Sequence, residues 1–358
     1  ISTALHLLFF DPSLAKEILV VDKASFPRAK LCGGGLTEDA ERILCWLGLD
    51  VNQIPNQPVK SIDFIVGEHR FAYQSNNAHT IRVVSRIDLD AWLVGAAIER
   101  GLTIEQGVEV SHIIEENGGV RLTTSAGVIT SKIVVLAEGS NGKLSRQVFT
   151  KRQANKARLV EAFEEQKTHN QNAPLIFDYT PIQTGVSGYF WDFPTTGNKR
   201  SVGYFDANMG KSQRLNIGNL LSKRTNTTEI NGHPILQFTP RHNNQIGHVI
   251  AVGDCSGADP LLGEGISFAL GSGYYAARHI IRSIKEQDGD PRGYQWELIK
   301  SEMGRALYIR WCIAMIIFNA NTDFWQSLIW KTLNPTVIWI ARNWLLGWAG
   351  RIKNPSRE

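Results

Sequence analysis

The stretch that most constrains this chain is Gly253 to Ile266, GDCSGADPLLGEGI. It follows an apolar run, His248 to Val252. It precedes a segment in which Ile266, Ala269, Leu270, Gly273, Ala276, Ala277 and Ile280 recur at helical spacing. An apolar strand ending in Gly-Asp, then a turn rich in Gly and Pro, then a helix start, makes a place for an anionic or phosphorylated ligand. The first amides of a helix are unpaired and carry partial positive charge. Asp254 is an acceptor at the strand end, placed to take a sugar hydroxyl, while Gly263 and Gly265 leave bare backbone for close approach. The apolar helix face must pack on something flat, such as a sheet.

The opening of the chain has a related grammar. Ser2 to Phe10 reads as a helix, Asp11 and Pro12 break it, and Glu17 to Val21 reads as a strand ending at Asp22. That is the back half of a dinucleotide-binding β-α-β unit, whose terminal acid accepts from the adenosine ribose. Such an acid lies about 20 residues beyond the glycines of the phosphate loop, so the first strand and its loop are expected to precede Ile1. Thr37 to Leu47 reads as a helix with Thr37 as N-cap. Strands follow at Ile62 to Val66 and His69 to Gln74. Arg86 to Gly101 is again helical, with Leu89, Trp92, Leu93, Ala96 and Ala97 sharing a face. Gly101 to Val110, Gly119 to Thr124 and Gly127 to Leu136 read as successive strands. In GYFWDFP, Gly188 to Pro194, the alternation of Tyr189, Trp191 and Phe193 puts all three on one face. That face is either ordinary sheet core or a wall for a long apolar ligand.

GD followed by P..GEGI resembles the second flavin fingerprint of the FAD-dependent oxidoreductases of the hydroxylase and geranylgeranyl reductase superfamily. The resemblance implies that Asp254 binds the ribityl chain and that the backbone of Gly263, Glu264, Gly265 and Ile266, after Pro260, faces the pyrimidine edge of the flavin. VVDKASFPRAKLCGGGL, Val20 to Leu36, resembles the early FAD contacts of the family, and FPR.K.CGGG resembles geranylgeranyl reductases in particular. By that resemblance Asp22 and Lys23 lie at the ribose, Arg28 reaches the diphosphate or ribose, and Gly33 and Gly34 admit the flavin. Cys32 is either a proton donor or tuning group beside the flavin, or a small buried hydrophobe. The family pattern R..fD..L is matched by Arg86, Asp90 and Leu93; Arg86 would approach the cofactor, and Asp90 is a ligand or a helix-start residue. Val108 or Val110 would lie beside the adenine. VVLAEGSNGKLSR, Val134 to Arg146, resembles the ADG..S.vR fingerprint with two departures, Glu138 for Asp and Gly142 for Ser. GYFWDFP resembles the family's gYgW.FP segment, which makes Tyr189 and Trp191, with Cys32, the candidates nearest the chemistry.

The implied fold is a Rossmann-like α/β FAD-binding domain of the glutathione reductase, hydroxylase type, assembled from residues 1–50, 85–158 and 245–290. A substrate lobe of antiparallel β-sheet, 51–84 and 159–244, is inserted, and a helical C-terminal region, 291–358, follows. The implied activity is FAD-dependent reduction of carbon–carbon double bonds in a long isoprenoid, with NADPH or reduced ferredoxin as electron donor. A flavin-dependent aromatic or polyketide monooxygenase and an incomplete, inactive flavoprotein are the alternatives.

Composition narrows the rest. A net charge of +4 over 358 residues, without a basic block interleaved with aromatics, argues against nucleic acid as a partner. Four scattered cysteines form no CxxC and nine histidines show no ligand spacing, so no metal is expected. The same cysteine usage fits a reduced, cytoplasmic setting. Six of the ten tryptophans fall after residue 300, at Trp311, Trp325, Trp330, Trp339, Trp344 and Trp348, interspersed with Arg342, Arg351, Lys353 and Arg357. This tail suits either a core-capping helical pair or a helix lying peripherally in a membrane interface.

Overall fold

A computed structural model describes residues 1–74, 79–116, 118–150, 156–165, 173–207, 216–227, 229–286, 293–320, 322, 325, 328, 329 and 347–353. The fold is mixed α/β. Two of its parallel pairings are of Leu19–Asp22 with Thr103–Gln106, and of Val134–Leu136 with Val249–Ala251. The predicted first strand is shorter than expected, because Pro12–Lys16 winds into a 3-10 turn capped by Asp11, which accepts from the Ser13 amide at 3.0 Å. The helix Ile266–Lys285 is as long as its periodicity predicts. It packs on the helix Ser2–Phe10 at Gly273, where a Cβ would lie 2.4 Å from Ser2 Oγ, so this glycine sets the closeness of the two helices. Leu5, Leu36, Ile43, Leu44, Tyr274 and Ala277 fill the core between them.

The second body of structure is a seven-stranded sheet. Its order is Asn231–Leu236, Lys156–Glu165, Lys199–Asp206, Gly188–Pro194, Leu175–Asp178, Ser61–Val66 and His69–Gln74. All neighbours are antiparallel except Leu175–Asp178 with Ser61–Val66. In register across three strands lie Glu161, Gly203 and Trp191. There are two further small sheets: Gly35–Leu36 and Asn56–Val59 pair on either side of Ile81–Val84, and Val110–Glu116, Gly119–Thr124 and Gly127–Ser131 form a meander that packs with Val134–Leu136 and Val249–Ala251. The expected single strand Gly127 to Leu136 is therefore two strands, in different sheets. Val110–Glu116 escapes a pattern search because Ile113 alone in it is fully buried.

The helices Tyr294–Lys300 and Glu302–Asn319 close the core. Glu297 staples the first of them to the long helix through Arg278, His279 and Arg282 at 2.8 to 3.0 Å. These partners outweigh burial and hold its carboxyl at about 2. Of the tail tryptophans, Trp348 is 0% exposed and stacks on Phe268 with ring centroids 5.6 Å apart. Asp39 anchors that turn, accepting from the amides of Gly347 at 3.0 Å and Ala349 at 2.8 Å. Burial, with Glu264 nearby, pushes the Asp39 carboxyl up to about 6. Trp311 packs partly buried on the core, and Trp325 is exposed. Trp330, Trp339 and Trp344, with Arg342 and Arg357, lie outside the described residues. Among the described residues no helix is long and apolar enough to cross a membrane.

Candidate active site

The strand-end acid and the start of the long helix meet as the sequence predicts. Asp254 follows Val249–Ala251 in a 3-10 turn, and a Cβ on Gly265 would lie 3.0 Å from its Oδ1. The helix N-terminus thus faces the carboxylate, which is favourable for the helix dipole. Asp254 also accepts from Lys30 Nζ at 3.0 Å. Burial raises its carboxyl, but Lys30 first, and then Arg86 and His233, hold it below the ordinary carboxylate range. Arg86 grips Asp90 with two nitrogens at 2.8 to 2.9 Å, and Arg28 approaches the same carboxylate at 3.4 Å. Burial works against the charge of Arg86, yet Cys32, Asp90 and Asp254 outweigh it and raise the guanidinium. Asp254, Asp90 and the cations Arg28, Lys30 and Arg86 therefore form one charged cluster, while Asp22 ends the separate Leu19–Asp22 strand.

Other candidates sit close to these, with details the sequence did not show. Asp22 turns its carboxylate onto the Ala24 amide at 2.9 Å, and Lys23 beside it is exposed. Val108 is the valine adjoining Asp22, because its amide donates to the Asp22 carbonyl at 3.1 Å; Val110 packs instead in the cluster of the meander. The Gly263 amide is used within the turn, donating to the Asp259 carbonyl at 3.1 Å, and a Cβ there would meet the Phe205 ring at 2.9 Å. Pro260 is buried beside it, and Ile266 is the first helical residue. The Glu264 side chain is engaged within the protein, accepting from Thr37 Oγ1 at 2.7 Å, Ser267 Oγ at 2.5 Å and Arg310 at 2.9 Å. Thr37 occupies the N-cap position but spends its hydroxyl on Glu264, not on its own helix.

The two departures at Glu138 and Gly142 explain one another. Glu138 caps the helix Lys143–Val148, accepting from the amides of Leu144 at 3.2 Å and Ser145 at 2.7 Å. A Cβ on Gly142 would lie 2.3 Å from Glu138 Oε2, so the longer acid fills the space that a serine would occupy. Gly142→Ser alone is expected to cost about 1–3 kcal/mol by overpacking. The double variant Glu138→Asp, Gly142→Ser is expected to recover most of that loss. Denaturant unfolding of the four proteins in the cycle measures the coupling, and additive effects would refute it. Gly139, at φ +75, has nothing within 4 Å of a built Cβ and leaves open space above this turn.

The predicted common face of Tyr189, Trp191 and Phe193 exists, and all three are buried. Tyr189 packs on Phe177 at 5.0 Å, Tyr179 at 5.3 Å and Phe205 at 5.5 Å between ring centroids, and its hydroxyl donates to the Leu262 carbonyl. The Cys32–Gly35 loop lies directly on this wall. A Cβ on Gly33 would touch the Phe193 ring at 3.1 Å and Trp191 Nε1 at 3.3 Å. Cys32 packs against the neighbouring core, and its sulfur accepts from the Gly34 amide at 3.4 Å.

Lys30, Glu161, Ser201 and Arg310 were not anticipated. A lone Lys in a loop carries no signal. Glu161 could have been noticed, since it is a lone acid inside the apolar run Leu159 to Phe163. Arg310 could have been noticed as a cation set in the apolar middle of the helix, between Ile309 and Trp311.

No family model matches the chain. It is 28% identical over 295 residues to an uncharacterized protein of Methanosarcina barkeri, covering 79% of this chain and 74% of that one. It is 23% identical over 298 residues to a digeranylgeranylglycerophospholipid reductase of Methanosphaera stadtmanae, covering 72% and 74%. Among solved structures, a geranylgeranyl bacteriochlorophyll reductase-like protein from Thermoplasma acidophilum has the same fold, with a TM-score of 0.74 at 18% identity over 95% of this chain and 96% of that one. The flavin-dependent brominase Bmp2 superposes with a TM-score of 0.67 at 18% identity over 99% and 93%. In sequence order and in fold the chain is thus similar to a digeranylgeranylglycerophospholipid reductase, a geranylgeranyl bacteriochlorophyll reductase-like protein and a flavin-dependent brominase.

Proposed function

We propose that this protein binds FAD at the charged cluster and reduces carbon–carbon double bonds of a long isoprenoid. The observation that carries the reading is the apposition of the Cys32–Gly35 loop to an apolar aromatic wall, with no charged side chain between Gly33 and the rings of Trp191 and Phe193. The residues present suit the cofactor. Gly139 offers bare backbone with open space around it, Asp254 offers an acceptor for a sugar hydroxyl, and Arg28 offers a fork for a diphosphate. Reduced FAD supplies the hydride for addition to an alkene. The chain's own part is to hold the alkene against the wall, exclude water and set the two reactants in register. Burying hydrocarbon contributes about 0.8 kcal/mol per methylene, comparable to one net hydrogen bond of about 1 kcal/mol. A polyprenyl chain is therefore recognised by shape and area rather than by polar contacts.

The test is to reconstitute the protein with FAD, reduce it with dithionite under argon, add geranylgeranyl diphosphate, and look for saturated product by mass spectrometry. Mass gains of two hydrogens per double bond support the reading. Absence of any gain, together with oxygen-dependent NADPH oxidation, would favour a hydroxylase or halogenase chemistry, a reading motivated by the brominase neighbour. Colourless protein that takes up no FAD would overturn both.

A further inference from the structure

Glu161 is 1% exposed and lies under the Cys32–Gly34 loop. Its Oε2 accepts from the Cys32 amide at 3.1 Å, and its Oε1 accepts from Ser201 Oγ at 2.6 Å. Ser201 Oγ in turn accepts from Trp191 Nε1 at 3.0 Å. The direction of this chain is fixed by chemistry. Indole and backbone N–H groups only donate, so the Ser201 proton must point to the carboxyl, and Glu161 is the acceptor on which both branches end. Gly203 makes the arrangement sterically possible. It stands in register between Glu161 and Trp191 on the central of three strands, and a Cβ on it would lie 2.3 Å from Trp191 Cζ2. The indole lies over this bare backbone. Burial raises the Glu161 carboxyl, and the bonds from Ser201 and Cys32 draw it back down.

We propose that Glu161 is the positioning residue of this site: its carboxyl ties the Cys32 loop to the Trp191 wall in one hydrogen-bonded unit and so holds the loop against that wall. This goes beyond the reductase reading, since it concerns how the loop is held whatever ligand the site takes.

Site-resolved hydrogen–deuterium exchange of the Cys32 amide, on flavin-free protein, tests the role. Glu161→Ala is expected to accelerate that amide roughly tenfold to a hundredfold, by removal of a bond to a buried carboxyl. Glu161→Gln is expected to stay within about threefold of wild type, because its carbonyl still accepts from Cys32 and its amide donates to Ser201. Ser201→Ala, which does not touch Cys32, is expected to give an intermediate acceleration by freeing one side of the carboxyl. Exchange in the core helix at Ile43 and Leu44 should not change. A wild-type Cys32 rate in folded Glu161→Ala, or Glu161→Gln as fast as Glu161→Ala, overturns the proposal. If Glu161→Ala does not fold, Ser201→Ala decides: acceleration supports the role and a wild-type rate overturns it. Because no flavin or substrate is present, a failed reductase assay leaves this result standing, and the reverse also holds.

Discussion

Arg310→Ala is expected to lower the stability of the folded chain by about 3–5 kcal/mol, the cost of leaving a buried charge pair without one partner. Arg310 is 1% exposed and bonds Asp259 Oδ2 at 2.6 Å and Glu264 Oε2 at 2.9 Å, with its guanidinium 5.0 Å from the centre of the Phe268 ring. Asp259 in turn accepts from the amides of Leu261 at 2.8 Å and Leu262 at 3.1 Å, so the cation fixes the turn that leads into the long helix. Burial already pushes the Asp259 carboxyl above its ordinary value, against the pull of Arg310. Without the cation, folded Asp259 should rise further above its unfolded value, near 4. The folded variant then holds more protons than the unfolded chain, and its stability falls as pH rises. The deficit should therefore be larger at pH 8 than at pH 5. Urea unfolding at both values checks this, and a deficit below 1 kcal/mol at pH 8 would remove Arg310 from any structural role.

Gly34→Ala is expected to weaken FAD binding at least tenfold and to slow any reductase turnover by about a hundredfold, since small misplacements at a reacting centre have effects of that size. Gly34 has φ +75, and a Cβ on it would lie 2.1 Å from the Val84 carbonyl oxygen. That oxygen belongs to backbone, and the Val84 amide donates to Gly34 O at 2.9 Å, so neither chain segment has room to give. The loop must lift from the Ile81–Val84 strand, and with it the surface that Gly33 presents to Trp191. Flavin titration followed by absorbance is the measurement. Gly95→Ala, at a helical position with open space around it, is the matched control. Flavin affinity within twofold of wild type in Gly34→Ala would mean that the loop is no part of the cofactor crevice.

What could be read from the sequence was local. The approach of Asp254 to Gly265 and the shared face of Tyr189, Trp191 and Phe193 depend on spacings of a few residues, which a strand end or a two-residue period fixes. Lys30, Glu161 and Arg310 depend on partners far away in the chain: the Cys32 amide lies 129 residues from Glu161. A single charged side chain reads as solvated until the fold brings its partner to it. The Glu138 and Gly142 pair shows the intermediate case. Each departs from the family pattern alone, and their compensation became visible only when a built Cβ met the longer acid.

Lys30 and Asp254 are separated by 224 positions, and Asp39 reaches the Ala349 amide across 310. A polypeptide leaving the ribosome has therefore made its early cations and glycines long before the acid and helix that complete them. Closing such wide loops is slow and entropically opposed. On the proposed reading, cofactor capture is a late event in biogenesis. Ligand supplied during refolding should thus raise the final yield of native protein without hastening the first collapse.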